Sequence, residues 1–212
     1  RARAPTPSRP RCFFFNDTAT TEISTLPLHD ALPISMPLAF LERAGYRPQA
    51  TDIAVESFDA DKAAQARFIG ISVPMHTALR MGVQVIERIR EINPDCHICC
   101  YGLYAALNSD YLLQNGADSC VGGEYESALV ALVESLESES DDKITGVARS
   151  DSAAEPFLER LPFAVPARDA LPTLDQYAML EHNGDCRTAG YVEASRGCLH
   201  MCTHCPIPPV YD

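Results

Sequence analysis

A doubly wound, parallel α/β sheet is what this sequence predicts between Met36 and Leu136, and two observations predict it. Short apolar runs alternate with amphipathic stretches of helical period. The central run, Phe68–Val73 (FIGISV), is apolar or small at nearly every position, as in strands covered on both faces. A third feature, three closely spaced cysteines near residue 200, belongs to a different unit.

The elements follow in order. Pro37–Ala44 has Leu38, Leu41 and Ala44 at spacings of three, the end of an amphipathic helix that Gly45 stops. Ala50–Val55 is a short strand, and Phe68–Val73 the buried one. Thr77–Ile92 carries a stripe of Ala78, Met81, Val85, Ile86, Ile89 and Ile92; Thr77 is placed to cap it, and Asn93-Pro94 ends it. His97–Tyr101 is a strand, Ser109–Gln114 a short helix closed by Asn115-Gly116, Ala117–Val121 a strand and Tyr125–Leu136 a helix. In such sheets ligands sit beyond the carboxyl ends of the strands. The candidate binding residues there are Ser72, His76, Gly102, Gly122, Gly123 and Glu124.

Residues 1–35 do not fit this pattern. Asn16 to Ile34 (NDTATTEISTLPLHDALPI) resembles the conceptual translation of a common sequencing-library adapter. The acidic residues Asp17, Glu22 and Asp30 interrupt every candidate signal-peptide core. Residues 1–35 are therefore expected to be an artefact that does not fold. The first strand of the sheet is expected to be missing. Residues 36–136 form the α/β domain, and 137–187 a linker: acidic and serine-rich from Glu134 to Glu155, then proline-rich. Thr188–Ala194 is a strand that opens a second domain, 188–212.

Composition narrows the function. The net charge of −12 argues against a nucleic-acid backbone as partner, because phosphate binding requires a basic surface. No run of about 18 apolar residues exists to span a membrane. Nine cysteines, an odd number in a chain this long, do not suit a secreted disulfide scaffold, so a reducing cytoplasm is expected. If Cys96 and Cys99 lie in one strand, positions three apart point to opposite faces, and both cannot grip one metal. Cys96, Cys99, Cys100 and Cys120 read as buried strand cysteines.

Cys198-x3-Cys202-x2-Cys205 carries the chemistry. Thiolates are soft ligands for iron–sulfur clusters and zinc. Three cysteines leave one iron of a cubane open, whereas structural zinc wants a fourth protein ligand, for which His200 and His204 are available. The spacing, the preceding strand and Arg196-Gly197 resemble the radical S-adenosylmethionine superfamily. That resemblance implies a β/α barrel beginning here, with Cys198, Cys202 and Cys205 holding a [4Fe–4S] cluster. It implies S-adenosylmethionine on the fourth iron, reductive cleavage to a 5′-deoxyadenosyl radical, and an electron donor such as a flavodoxin or ferredoxin. His204 stands where the family often has an aromatic residue.

An α/β domain ahead of this motif resembles the cobalamin-binding subfamily and its Rossmann-type domain. There a Ser-x-Leu-like element ends one strand and a Gly-Gly pair follows; here Ser72-Val73-Pro74 is followed after 26 residues by Tyr101-Gly102. Gly122-Gly123-Glu124-Tyr125-Glu126 is similar to the subfamily's Gly-Glu-Gly-Glu element. The Asp-x-His-x-x-Gly motif of an axial histidine is absent. His76 is a candidate corrin contact or simply an exposed loop residue. The glycines allow close approach of a ligand or relieve tight turns.

The resulting expectation is a cobalamin-dependent-type radical enzyme whose substrate is unknown. Only seven residues follow Cys205, while a β/α barrel needs about 200–250, so this piece alone is expected to be inactive. The competing reading is a non-enzymatic corrinoid-binding module with a C-terminal zinc knuckle.

Overall fold

The computed structural model describes residues 12–16, 32–140, 143–162, 164–177, 179–188, 193 and 195–211. In chain order these form β1 (Cys12–Asn16), α1 (Leu32–Arg43), β2 (Gln49–Asp52), α2 (Ala60–Gln65), β3 (Phe68–Ser72), α3 (His76–Ile92) and β4 (His97–Tyr101). Then come α4 (Leu103–Leu107), α5 (Ser109–Gln114), β5 (Ser119–Val121), α6 (Tyr125–Ser138) and β6 (Val147–Ala148). A hairpin of β7 (Met179–His182) and β8 (Asp185–Thr188) follows, and the short α7 (Pro208–Tyr211) comes last.

The main sheet has the order β2-β1-β3-β4-β5-β6; β1 to β5 are parallel, and β6 runs antiparallel at the edge. The doubly wound α/β expectation holds. Burial shows why the strands are apolar throughout. Alternate residues of β3 and β4 face opposite cores, as the period of two requires. Ile69, Ile71, Ile98 and Cys100 join Ile86 and Ile89 of α3. Phe68, Cys99 and Tyr101 join Ile34, Leu38 and Leu41 of α1 with Leu129 and Leu132 of α6. Cys96 lies in the first core and Cys99 in the second, so the pair cannot share a metal.

Four expectations are corrected. The first strand is present: β1 lies between β2 and β3, with Phe13 opposite both Gln49 and Ile69. Its residues fall among those expected not to fold, yet four apolar positions in a row suit a strand with neighbours on both sides. The fold also takes up Leu32 to Ser35 as the first turn of α1. Second, the stretch read as a linker is part of the sheet. Helix α6 continues to Ser138, and Val147 and Ala148 pair with Val121 and Cys120. A two-residue strand leaves no periodicity to detect. Third, α3 opens at His76 behind an extended Met75 with no side-chain cap, so Thr77 does not cap it. Asn93 does end the helix, and its side-chain amide also donates to the carbonyls of Ala63 and Ala66, tying α2 to α3. Fourth, the proline-rich connection contains the β7–β8 hairpin. Asn183-Gly184 turns it with φ of 54° and 82°, the left-handed pair that two-residue hairpins favour. Of the strand expected at Thr188–Ala194, Thr188 ends β8, and residues 189–192 and 194 lie outside the described residues.

Candidate functional site

With strand order 2-1-3-4-5, the carboxyl edge of the sheet near β1 and β3 is where such folds take ligands. Three loops meet there through backbone bonds. Val73 donates to the Tyr101 carbonyl at 2.8 Å, Tyr104 to Val73 at 3.0 Å and Gly102 to Val121 at 3.0 Å. A cavity of about 310 Å³ opens over them, lined by Ser72, Pro74 and Gly102 on the sheet side and by Ser195, Arg196 and Tyr211 on the other.

The structure separates the six candidate binding residues. Ser72 and Gly102 border the cavity. His76 is exposed on the first turn of α3 and does not line it. Gly102 has φ of 105°, and a Cβ there would stand 3.3 Å from the Val73 carbonyl oxygen. Its freedom serves the tight approach of two loops. Gly122 and Gly123 are also occupied by the protein itself. A Cβ at 122 would strike Ala106, and one at 123 would strike the Phe157 carbonyl, which accepts the Glu124 amide at 2.6 Å. At both positions the space that a side chain would need is filled by the protein's own atoms. Glu124 meets a cation instead of an open cradle.

That cation is Arg196, two residues before Cys198. Its Nη1 donates to Glu124 Oε2 and Glu126 Oε2, each at 2.9 Å, its Nη2 to Glu126 Oε1 at 2.5 Å, and its Nε to Glu193 Oε2 at 3.0 Å. The guanidinium also stacks over the Tyr125 ring at 4.8 Å. Its side chain is 6% exposed and that of Glu126 1%, so the forked pair is shielded from water. Burial works against the Arg196 charge, but hydrogen bonding to Glu126 and the surrounding negative charge outweigh it and raise its pKa. Burial pushes Glu124 upward, with Arg196 opposing and the neighbouring Glu126 and Glu193 reinforcing. Close by, Tyr211 Oη donates to the Gly123 carbonyl at 3.3 Å, and Gly197 has φ of 84° beneath the Tyr211 ring. Sequence reasoning noted Arg196 and Glu126 only as letters of two motifs. Their union across 70 residues was not visible.

Cys198 and Cys202 are exposed and Cys205 half-buried, on one loop in which the Cys205 amide donates to Cys202 O at 3.1 Å. Among the described residues no three His, Cys, Asp or Glu side chains are gathered to share a metal ion. The donor chemistry of the loop suits a three-thiolate ligand set, although the three side chains are not gathered as one. His200 and His204, the zinc alternatives, are exposed as well.

A larger cavity, about 570 Å³, lies at the opposite edge of the sheet, beside Arg67, Arg90, His97 and Asp118. Its central cation is already engaged: Arg90 donates to the carbonyls of Pro94, Cys96 and Gly116 and to Asp118. This is a knot that ties α3 to β4 and β5.

No family model matches the chain, and no curated protein matches it. Among solved structures it resembles the radical S-adenosylmethionine methyltransferase TsrM from Kitasatospora setae. Against TsrM with tryptophan substrate and a S-adenosylmethionine analogue bound, the TM-score is 0.63 at 17% identity, covering 95% of this chain and 42% of that one. Against TsrM with cobalamin and a [4Fe–4S] cluster bound, the values are 0.65, 16%, 96% and 42%. This chain spans less than half the length of these neighbours, and the likeness is one of fold.

Proposed function

We propose that this chain is the cobalamin-binding-like domain and cluster loop of a radical S-adenosylmethionine enzyme. In this reading Cys198, Cys202 and Cys205 hold a [4Fe–4S] cluster, and the cavity bordered by Ser72 and Gly102 faces cobalamin. One observation carries the proposal. The fold likeness to TsrM covers 95% of the chain, so it is not confined to the α/β domain that many unrelated proteins share. The domain limits that go with it are an α/β unit extending to β6 and a cluster domain opening near Glu193. The cofactor chemistry would be one-electron cleavage of S-adenosylmethionine, fed by a flavodoxin or ferredoxin in the cytoplasm. The substrate stays undefined, since TsrM's tryptophan belongs to TsrM. No helix among the described residues is long and apolar enough to cross a membrane.

The chain's own residues supply placement. Arg196 and Gly197 bring the cysteine loop over the carboxyl edge of the sheet, and Tyr211 braces it from the far side. The donor set fits the cluster by its chemistry. For cobalamin the fit is partial: the edge is right, but the cavity is smaller than a corrinoid, and Gly122 and Gly123 are filled from within.

The test is anaerobic reconstitution with iron and sulfide. We expect a brown protein with about four irons per chain, and loss of colour and iron in a variant with alanine at 198, 202 and 205. A colourless protein that retains zinc instead would replace this reading with the zinc-knuckle module. Titration with hydroxocobalamin, followed by its visible spectrum, tests the second ligand separately.

A further inference from the structure

We propose that Arg196 is a positioning residue, a buried ionic clamp that fixes the cysteine loop to the α/β domain. Glu124 and Glu126 open helix α6, some 70 residues before Arg196, so their bonds join two units that no local structure connects. The clamp also has a built seat. Glu124 is anchored through its own amide to Phe157 O at 2.6 Å, and the Tyr125 ring lies against Tyr101 of β4, with centroids 5.0 Å apart. The platform under Arg196 is therefore continuous with the core strand β4.

The chemistry is selective. A planar guanidinium offers five donors, and here they meet three carboxylates and one aromatic face. A lysine cannot span the two oxygens of Glu126 while stacking on Tyr125. Surface ion pairs contribute little, but a shielded, forked pair loses much when one partner is removed. Beyond the clamp the loop has little to hold it. Leu199 is fully exposed, Met201 is 70% exposed, and Cys198 and Cys202 are exposed. Gly197 beneath the Tyr211 ring and the Tyr211 bond to Gly123 O are further ties, and after the loop Val210 of α7 is buried. The clamp thus sets where the loop leaves the domain, and with it the distance between the thiols and the cavity beside Ser72.

Hydrogen exchange and limited trypsin digestion of the metal-free chain test the clamp without assuming any cluster. Glu126→Gln keeps Arg196 as a tryptic site and removes half of the forked charge. We expect exchange of residues 195–205 and cleavage after Arg196 to rise about tenfold, with β3 and β4 as protected as before. Arg196→Lys should show the same loosening. If Glu126→Gln also melts the core, the double variant Arg196→Ala/Glu126→Gln, which leaves no buried guanidinium without its forked partner, replaces it, with hydrogen exchange as the readout because the tryptic site is gone. A loop that keeps wild-type protection in a folded variant overturns the proposal. So does a core that melts in both variants, because the group would then hold the domain and not the loop.

The positioning role deepens the cluster reading, and iron loading separates the two. If the wild-type chain takes up no cluster, the cluster reading falls while the exchange result still decides the clamp. If wild type and a loosened variant give identical cluster absorbance and iron content, the clamp does not position the thiols and that part of the proposal fails.

Discussion

Alanine at position 123 is expected to destabilise the chain by about 3–5 kcal/mol, the range in which steric and hydrogen-bond losses combine. Two effects add. Gly123 sits at φ of 68°, where an L side chain costs about 1–2 kcal/mol. A Cβ there would also run into the Phe157 carbonyl oxygen, so Phe157 must withdraw. That carbonyl accepts the Glu124 amide, and Gly123 and Phe157 form an isolated parallel bridge. Pushing them apart breaks the Glu124–Phe157 bond between two half-buried residues. The control is Gly184→Ala in the β7–β8 turn. Its φ is 82°, but nothing lies within 4 Å of the new Cβ, so only the conformational effect applies, at most about 1–2 kcal/mol. Urea unfolding of both variants decides the matter. Equal losses would show that strain at positive φ, and not the collision, governs position 123. The same substitution should loosen the cysteine loop, because Glu124 and Tyr211 both rely on this turn.

The reading of this glycine shows where sequence reasoning reached and where it stopped. FIGIS and the α3 stripe were legible because burial on one or both faces imposes a pattern within the element itself. Strand β4 was legible for the same reason: HICCY is buried from Ile98 to Tyr101. The pair Gly122-Gly123 was legible as unusual, but its cause was not. The atoms that forbid a side chain there belong to Ala106 and Phe157, and nothing nearby in the sequence announces them. Strand β1 was lost for a different reason. CFFFN has the composition of a strand with neighbours on both sides, but it belongs to the adapter-like segment and follows an Arg/Pro-rich one. The Asn183-Gly184 turn is a strong local signal, but the runs beside it, MLEH and DCRT, lack the apolar alternation that marks a strand.

The candidate site divides along the same line. The cysteine spacing is a local property and could be read directly. The clamp is not local. Two acidic residues flanking a tyrosine at the start of one helix, and an arginine before a cysteine loop, each have an ordinary explanation alone. Together they place three carboxylates around one guanidinium, an arrangement that burial would forbid without the forked geometry. Motif letters in two families of loops thus acquire one shared physical role, which is to hold one loop against the other.

Acid should destabilise the fold through His97. His97 begins β4, stacks on Phe68 with ring centroids 5.9 Å apart, and has Nε2 2.9 Å from Ser119 Oγ. Burial is the main cause that lowers its pKa from 6.5 to about 4; Asp118 opposes this, while Arg149 and Arg90 add to it. The folded protein therefore keeps His97 neutral where the unfolded chain would protonate it. Stability from this group is complete above pH 6.5 and is lost as pH falls from 6.5 to about 4. At 1.36 kcal/mol per unit, the loss over that window is on the order of 3 kcal/mol. Glu124 acts the other way: burial first, and then repulsion from Glu126 and Glu193, raise its pKa against the pull of Arg196, so protonating it in mild acid offsets part of the slope. Denaturant unfolding at pH 7.5, 5.5 and 4.5 should show wild type losing stability steadily, and His97→Asn, though weaker at pH 7.5, losing much less across the same range. An Asn variant with the wild-type slope would move the acid sensitivity to another group. A slope that flattens only when Glu124 is also changed would mean that the carboxylate cluster, and not the strand histidine, governs how this fold responds to acid.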